Sequence, residues 1–235
     1  MRLGLFGGTF DPIHLGHLIL AESCREACGL DRVLFVVAGA PPHKPGDRTA
    51  VADRLEMARI AVAGHPAFEV SDIEARRPGP HYSAETLEAV HAERPEDDLF
   101  FLIGADSLAD LPLWRSPDRI VRLASLVVVN RPGIGPDDPG RWPDLGPDAR
   151  PMQMVSIPPI GIASHDLRRR RAEGRSIRYQ VPRGVEAYID AHGLYRRAEA
   201  GCPPSRLTPR RGCRDNAGRP HLARRFPPIP LSPGL

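Results

Sequence analysis

The first seventeen residues constrain this chain more than any other stretch. They include Leu3-Gly-Leu-Phe-Gly-Gly-Thr-Phe-Asp-Pro-Ile-His-Leu-Gly-His17, whose apolar run from Leu3 to Phe6 reads as a short buried strand. Gly7 and Gly8 are expected to stop that strand, because glycine turns freely and lets a ligand approach the backbone. Beyond Pro12, Leu15, Leu18, Ile19 and Ala21 fall at helical period. The predicted unit is strand, glycine turn, helix. His14 and His17 stand three residues apart and so share one face. That face lies at a helix N-terminus, which favours anions. The pattern is a phosphate site. It lacks the terminal Gly-Lys-Ser/Thr of the ATPase loop and the glycine spacing of the dinucleotide fingerprint, so neither of those loops is present here.

The same alternation recurs downstream. Val33–Val37, Phe68–Asp72, Leu99–Ile103, Leu126–Val129 and Met152–Ile157 read as further strands, and the continuous β-branched runs among them suit a parallel sheet buried on both faces. Helical patterns separate them: Ala50–Ala63, Ser83–Ala92, Asp118–Leu123, Ser164–Glu173 and a last helix from Pro182 to Gly193, after which Leu194-Tyr195 is expected to dock on the core. The fold class is therefore α/β: a doubly wound, Rossmann-like, mostly parallel sheet with helices on both faces. Ligands of such sheets gather beyond the C-terminal strand ends, where strand order reverses. Residues 7–17, 38–46, 104–106 (a second strand-to-glycine turn, Gly104-Ala-Asp106) and 130–133 all follow strands and are predicted to converge there.

Charge divides the chain. Residues 201–235 hold seven arginines against one acid, Asp215, together with eight prolines. No helical or strand period runs through them. The expected organisation is one domain over 1–197 and a Pro/Arg-rich, disordered tail over 198–235. The net charge of +3 thus belongs to the tail, which reads as solvated, with nucleic-acid binding the lesser reading. No apolar run reaches membrane length, and a strand starting by residue 3 leaves no room for a signal peptide, so a cytoplasmic location without membrane attachment is expected. Cys24 and Cys28, one helical turn apart, have no metal-binding spacing. Lys44 is the only lysine in the chain; it sits beside two prolines in a loop after a strand, where a flexible ammonium suits a phosphate contact, though a solvated lysine reads the same way.

Gly8, Phe10, Asp11, Pro12, His14, Gly16 and His17 fill every fixed position of the Gly-x-Phe-Asp-Pro-x-His-x-Gly-His signature of the nucleotidyltransferase superfamily. Further blocks narrow the likeness: Gly7-Gly8, Pro41-Pro-His-Lys44, Gly79-Pro-His-Tyr-Ser83, Ile103-Gly-Ala-Asp-Ser107, Leu111-Pro-Leu-Trp114, Arg131-Pro-Gly133 and Gly193-Leu-Tyr195. Over residues 2–196 the chain resembles bacterial nicotinate-nucleotide adenylyltransferase. The resemblance implies adenylyl transfer from ATP to nicotinate mononucleotide, giving deamido-NAD and pyrophosphate, with a divalent cation, usually Mg²⁺. Nicotinamide mononucleotide or pantetheine phosphate as acceptor is the alternative, and a homo-oligomer is left open.

The implied roles fall on particular residues. His14, His17, Lys44 and Arg168 are the catalytic candidates, with His17 assigned to the α-phosphate. Gly7, Gly8, Thr9, Phe10, Gly104, Asp106, Arg131 and Ser164 join His14, His17 and Arg168 at ATP, Thr9 and Phe10 through backbone donors. Asp106 suits ribose hydroxyls or a water-held cation, a helix cap being the competing reading. Lys44, Ser83 and Trp114 form the acceptor pocket: Ser83 keeps the hydroxyl of a family threonine, and Trp114 offers a stacking face unless it is core. The chain departs from the family at Ile162-Ala-Ser-His-Asp-Leu-Arg168, where Ala163 replaces a serine and His165 a threonine. Ser164 and Arg168 remain, four residues apart, on one helix face.

Overall fold

A computed structural model describes residues 1–39, 49–130 and 143–196. Lys44, Arg131 and the 198–235 tail lie outside the described residues, as do the expectations placed on them.

The strands are β1 (Arg2–Gly8), β2 (Arg32–Val37), β3 (Phe68–Ser71), β4 (Asp98–Gly104), β5 (Ala124–Asn130) and β6 (Gln153–Ser156). The helices are α1 (Leu15–Ala27), α2 (Val51–Val62), α3 (Ser83–Glu93), α4 (Ala105–Asp110), α5 (Pro117–Leu123), α6 (Ser164–Ala172) and α7 (Arg183–Ala191). All strand pairs are parallel, in the order β3-β2-β1-β4-β5-β6.

Period-two alternation explains the two cores. Val33, Phe35 and Val37 of β2, Phe100 and Leu102 of β4, and Val127 and Val129 of β5 face one side, where they meet α1, α2, α6 and α7. Leu34 and Val36, Leu99, Phe101 and Ile103, and Leu126 and Val128 face the other, against α3, α4 and α5. Because both faces are covered, the four central strands β2, β1, β4 and β5 are apolar over most of their length, whereas the edge strands β3 (Phe-Glu-Val-Ser) and β6 (Gln-Met-Val-Ser) carry polar residues.

The register places the crevice. β1 pairs with β4 only from Arg2↔Asp98 to Leu5↔Phe101, whereas β1 stays with β2 as far as Gly8↔Val37 and β4 with β5 as far as Gly104↔Val129. The two central strands therefore part at their C-terminal ends. This is the point where strand order reverses.

Two local expectations are corrected. Gly7 and Gly8 do not stop β1 but belong to it, paired with Val36 and Val37. The left-handed residue of the turn is Phe10, at φ 50°. An added Cβ at Gly8 would lie 2.7 Å from the Phe10 ring, so Gly8 makes room for that ring, while Gly7 has nothing within 4 Å. At 104–106 there is no glycine turn: β4 runs directly into α4, then into a 3-10 turn at Leu111–Leu113. Ala105, Leu108 and Leu111 are buried there against the β4 side of the sheet, and this packing determines the helix.

Candidate active site

Where β1 and β4 part, a cleft of about 1130 Å³ opens. Single-ligand pockets usually span about 300–1,000 Å³, so this one has room for two substrates. Gly7, Gly8, Thr9, Phe10, His14, His17, Ser83, Gly104, Trp114, Ser164 and Arg168 all line it. The structure brings these residues together from five separate segments; of the loops expected to converge, residues 40–46 and 131–133 lie outside the described residues. Asp106 is not a lining residue; it is exposed on the first turn of α4, beside Gly104 and Ser107, which are.

The signature loop is built around Phe10. Its ring is buried against Phe6 (5.5 Å between centroids), His17 (5.1 Å) and Phe35 (5.8 Å). The left-handed backbone at Phe10 is uncommon for a bulky residue, and the aromatic cluster holds it. Phe10 thus acts first as an anchor that seats the imidazole of His17. Asp11 follows through a cis peptide to Pro12, and α1 begins after His14, whose extended backbone occupies the N-cap position.

The two imidazoles stack, with centroids 3.6 Å apart and planes 22° apart. His17 Nδ1 accepts the backbone N–H of His14 at 3.2 Å, which leaves Nε2 of a neutral His17 to carry the proton. Burial holds His14 down to about 4, so its ring is neutral at pH 7. An imidazole can meet phosphate protonated or as a neutral donor, and for His14 burial removes the first, because a desolvated imidazolium has no water to stabilise its charge. Its Nδ1 is buried without a hydrogen-bond partner among the described residues, and an added Cβ at Gly16 would come within 3.0 Å of it. Gly16 of the signature therefore makes room for the His14 ring.

The N-termini of α1, α3 and α6 all face the cleft, each bringing a fraction of a positive charge. α1 has no acidic residue in its first turn to offset it. Ser164 and Arg168, expected at phosphate, show contacts of a different kind. The Ser164 hydroxyl donates to Pro12 O at 2.9 Å, and Arg168 Nη1 donates to Asp11 O at 2.6 Å. They clamp the signature loop to α6. His165, also a lining residue, is largely exposed, and its Nε2 lies 3.5 Å from Asp166 Oδ1.

The structure adds residues that the sequence reading missed. Arg54 is 2% exposed and donates to Thr49 O (3.0 Å), Thr9 O (2.9 Å) and Ala38 O (2.6 Å). It joins the signature loop to the end of β2. Its signal was present: Arg54 falls on the buried face of α2 with Leu55, Ala58 and Val62. On the other side of the cleft, Thr86 donates to Glu74 Oε1 at 2.8 Å, and Glu74 Oε2 accepts Gly39 N–H at 3.1 Å. Arg115 lies at the rim, its guanidinium 4.5 Å over the Tyr82 ring. The apolar segment Ile157–Ile162 walls the α1 side.

Asp11 and Glu74, two of the carboxylates lining the cleft, already accept internal hydrogen bonds, and Asp166 is paired with Arg169. Among the described residues no three His, Cys, Asp or Glu side chains group to hold a metal.

A parted pair of central strands, helix N-termini aimed between them and two stacked imidazoles define an α/β nucleotide-binding site of the nucleotidyltransferase kind. Residues 5–170 match the family model described as cytidylyltransferase-like. A Thermomicrobium roseum protein named "Probable nicotinate-nucleotide adenylyltransferase" is 50% identical over 210 residues, covering 89% of this chain and 97% of its own. A Thermus thermophilus protein of the same name is 49% identical over 196 residues, covering 83% and 100%. Among solved structures, Plasmodium falciparum nicotinic acid mononucleotide adenylyltransferase complexed with NaAD shares the fold, with a TM-score of 0.68 at 17% identity, covering 83% of this chain and 97% of that one. The chain belongs to the cytidylyltransferase-like family, among its nicotinate-nucleotide adenylyltransferases. No helix among the described residues is long and apolar enough to cross a membrane.

Proposed function

We propose that the chain transfers the adenylyl group of ATP to nicotinate mononucleotide, giving deamido-NAD and pyrophosphate. The observation that carries this reading is a cleft with two unlike halves across one switch point. The half beside α1 and α6 holds His14, His17 and two helix N-termini; the half beside α3 and α4 holds Ser83, Thr86, Trp114 and Arg115.

In the reaction a phosphate oxygen of the mononucleotide attacks the α-phosphorus of ATP, and the bond to the bridging oxygen of the β-phosphate breaks. A phosphate monoester is largely ionised at neutral pH, so no strong base is needed. The barrier lies in bringing two anions together, and the protein supplies positioning and fixed positive potential. His17 is assigned to the α-phosphate as an Nε2–H donor. His14 acts as a neutral partner that orients His17 by stacking, and Thr9 and Phe10 offer backbone donors. Ser164 and Arg168 keep the loop in place and bring the α6 N-terminus to the phosphates. Lys44 and Arg131 are proposed as further phosphate and adenine-side contacts, Ser83 and Trp114 as the acceptor pocket. Asp106 would hold, through water, a divalent cation bound to the ATP phosphates, and that cation would supply charge neutralisation there.

Pyrophosphate release, measured with ATP and each of nicotinate mononucleotide, nicotinamide mononucleotide and phosphopantetheine, tests the reading. The nicotinate acceptor is expected to give the highest kcat/KM, and a higher value with either of the others overturns it. A chain ending at Arg197 is expected to keep its activity. Loss of activity there would move function into the basic tail.

A further inference from the structure

The signature loop is held from behind, residue by residue, by elements far away in sequence. Thr9 O accepts from Arg54 of α2, Asp11 O from Arg168 of α6 and Pro12 O from Ser164. The Asp11 side chain is held by something else. Its carboxylate, buried at 4% exposure, accepts the phenol of Tyr195 at 2.6 Å across 184 positions of sequence. Tyr195 has a left-handed backbone, φ 61°, which a bulky residue adopts only where its surroundings impose it. Leu194 and Tyr195 pack on the core beside α7, and the Thr49 hydroxyl also bonds the phenol. Tyr195 does not line the cleft, whereas Asp11 does.

We infer that Tyr195 is a positioning residue for adenylyl transfer: its phenol, through the Asp11 carboxylate, sets where the loop between Phe10 and His14 lies and so where both imidazoles point. The inference rests on the activity proposed above. Phe10 seats the His17 ring on one side of Asp11, and His14 caps α1 on the other. A shift at Asp11 therefore moves both histidines, while the substrate-facing surfaces keep their chemistry. Burial and the bond to Asp11 hold the phenol above its ordinary value, so it remains a donor throughout the neutral range.

The fold contains its own control. Tyr188 of α7 donates to Asp53 of α2 at 2.8 Å, the same phenol–carboxylate bond placed away from the cleft. Full-length wild type, Tyr195→Phe, Tyr188→Phe, Asp11→Asn and the Tyr195→Phe/Asp11→Asn double variant are compared by thermal melting and by pyrophosphate release with ATP and nicotinate mononucleotide. Misplacing a reacting group by about 1 Å costs on the order of 100-fold in rate, so Tyr195→Phe is expected to lower kcat by roughly 10- to 100-fold. KM for the mononucleotide should stay within about threefold, and the double variant should be no slower than Asp11→Asn alone. Because Tyr195→Phe leaves a buried carboxylate without its donor, its melting point is expected to fall further than in Tyr188→Phe, so kcat is compared per folded protein below both melting points. Tyr188→Phe should keep wild-type kinetics. A Tyr195→Phe enzyme with kcat within twofold of wild type, or activity lost only in proportion to folded protein, or additive effects in the double variant, overturns the inference. A wild-type chain that releases no pyrophosphate fails the proposed function instead, so the two failures are distinct.

Discussion

Gly7 and Gly8 are adjacent in one strand, yet the structure predicts opposite results for the same substitution. In Gly8→Ala the new methyl would sit 2.7 Å from two carbons of the Phe10 ring. That ring has nowhere to go, being packed among Phe6, His17 and Phe35 on a left-handed backbone. Overpacking of this kind costs roughly 1–3 kcal/mol, and replacing a glycine returns about 0.4–1 kcal/mol of unfolded-chain entropy. At this severity of overlap the net loss is about 1–2 kcal/mol. For a domain of this size each kcal/mol moves Tm by roughly 2–4 °C, so Tm should fall by roughly 2–8 °C. In Gly7→Ala the methyl meets no protein atom within 4 Å and points into the cleft. Its Tm should stay within about 1 °C of wild type, while KM for ATP rises about tenfold, equivalent to about 1.4 kcal/mol of lost contact. Differential scanning calorimetry and pyrophosphate-release kinetics on both variants provide the assay. A Gly8→Ala protein melting with wild type would refute the fixed Phe10 ring. Unchanged ATP kinetics in Gly7→Ala would refute the placement of substrate over β1.

Three further outcomes are expected. His17→Ala should lower kcat by at least ~100-fold, the scale of removing one preorganised donor, and an activity within a few-fold of wild type removes His17 from the role given it. Trp114→Ala should raise KM for the mononucleotide more than KM for ATP, since Trp114 packs edge-on to Phe101 at 6.3 Å on the acceptor side; equal increases would place the ring elsewhere. Burial holds His14 down to about 4 from its ordinary value of about 6.5, so the unfolded chain takes up the proton first as pH falls. Its contribution is complete above about pH 6.5 and is lost progressively towards pH 4, by about 3 kcal/mol. Urea unfolding of wild type and His14→Asn between pH 7.5 and 4.5 should show a steeper decline in wild type. Parallel curves would mean that the His14 ring is not desolvated.

What the sequence determined by itself was everything that repeats locally. Continuous apolar strand runs, helical faces with period near four, and the histidine spacing were legible because each depends on residues a few positions apart. They were enough for the α/β class, the parallel sheet and the gathering of the strand-end loops at one edge, whereas Ser83, Trp114 and Ser164–Arg168 were pointed to by the resemblance alone. Where packing overrode local signals, the reading failed. Gly104 looked like a turn, but burial of Leu108 and Leu111 carried the chain into α4. Gly7 and Gly8 looked like a strand stop, but pairing to Val36 and Val37 kept them in β1. Only the tertiary structure decided how the signature loop is held. Arg54, Ser164, Arg168 and Tyr195 reach it from 45, 152, 157 and 184 positions away, and no local periodicity records such contacts. The same holds for the charge of His14, which is set by the desolvation that packing imposes on its ring.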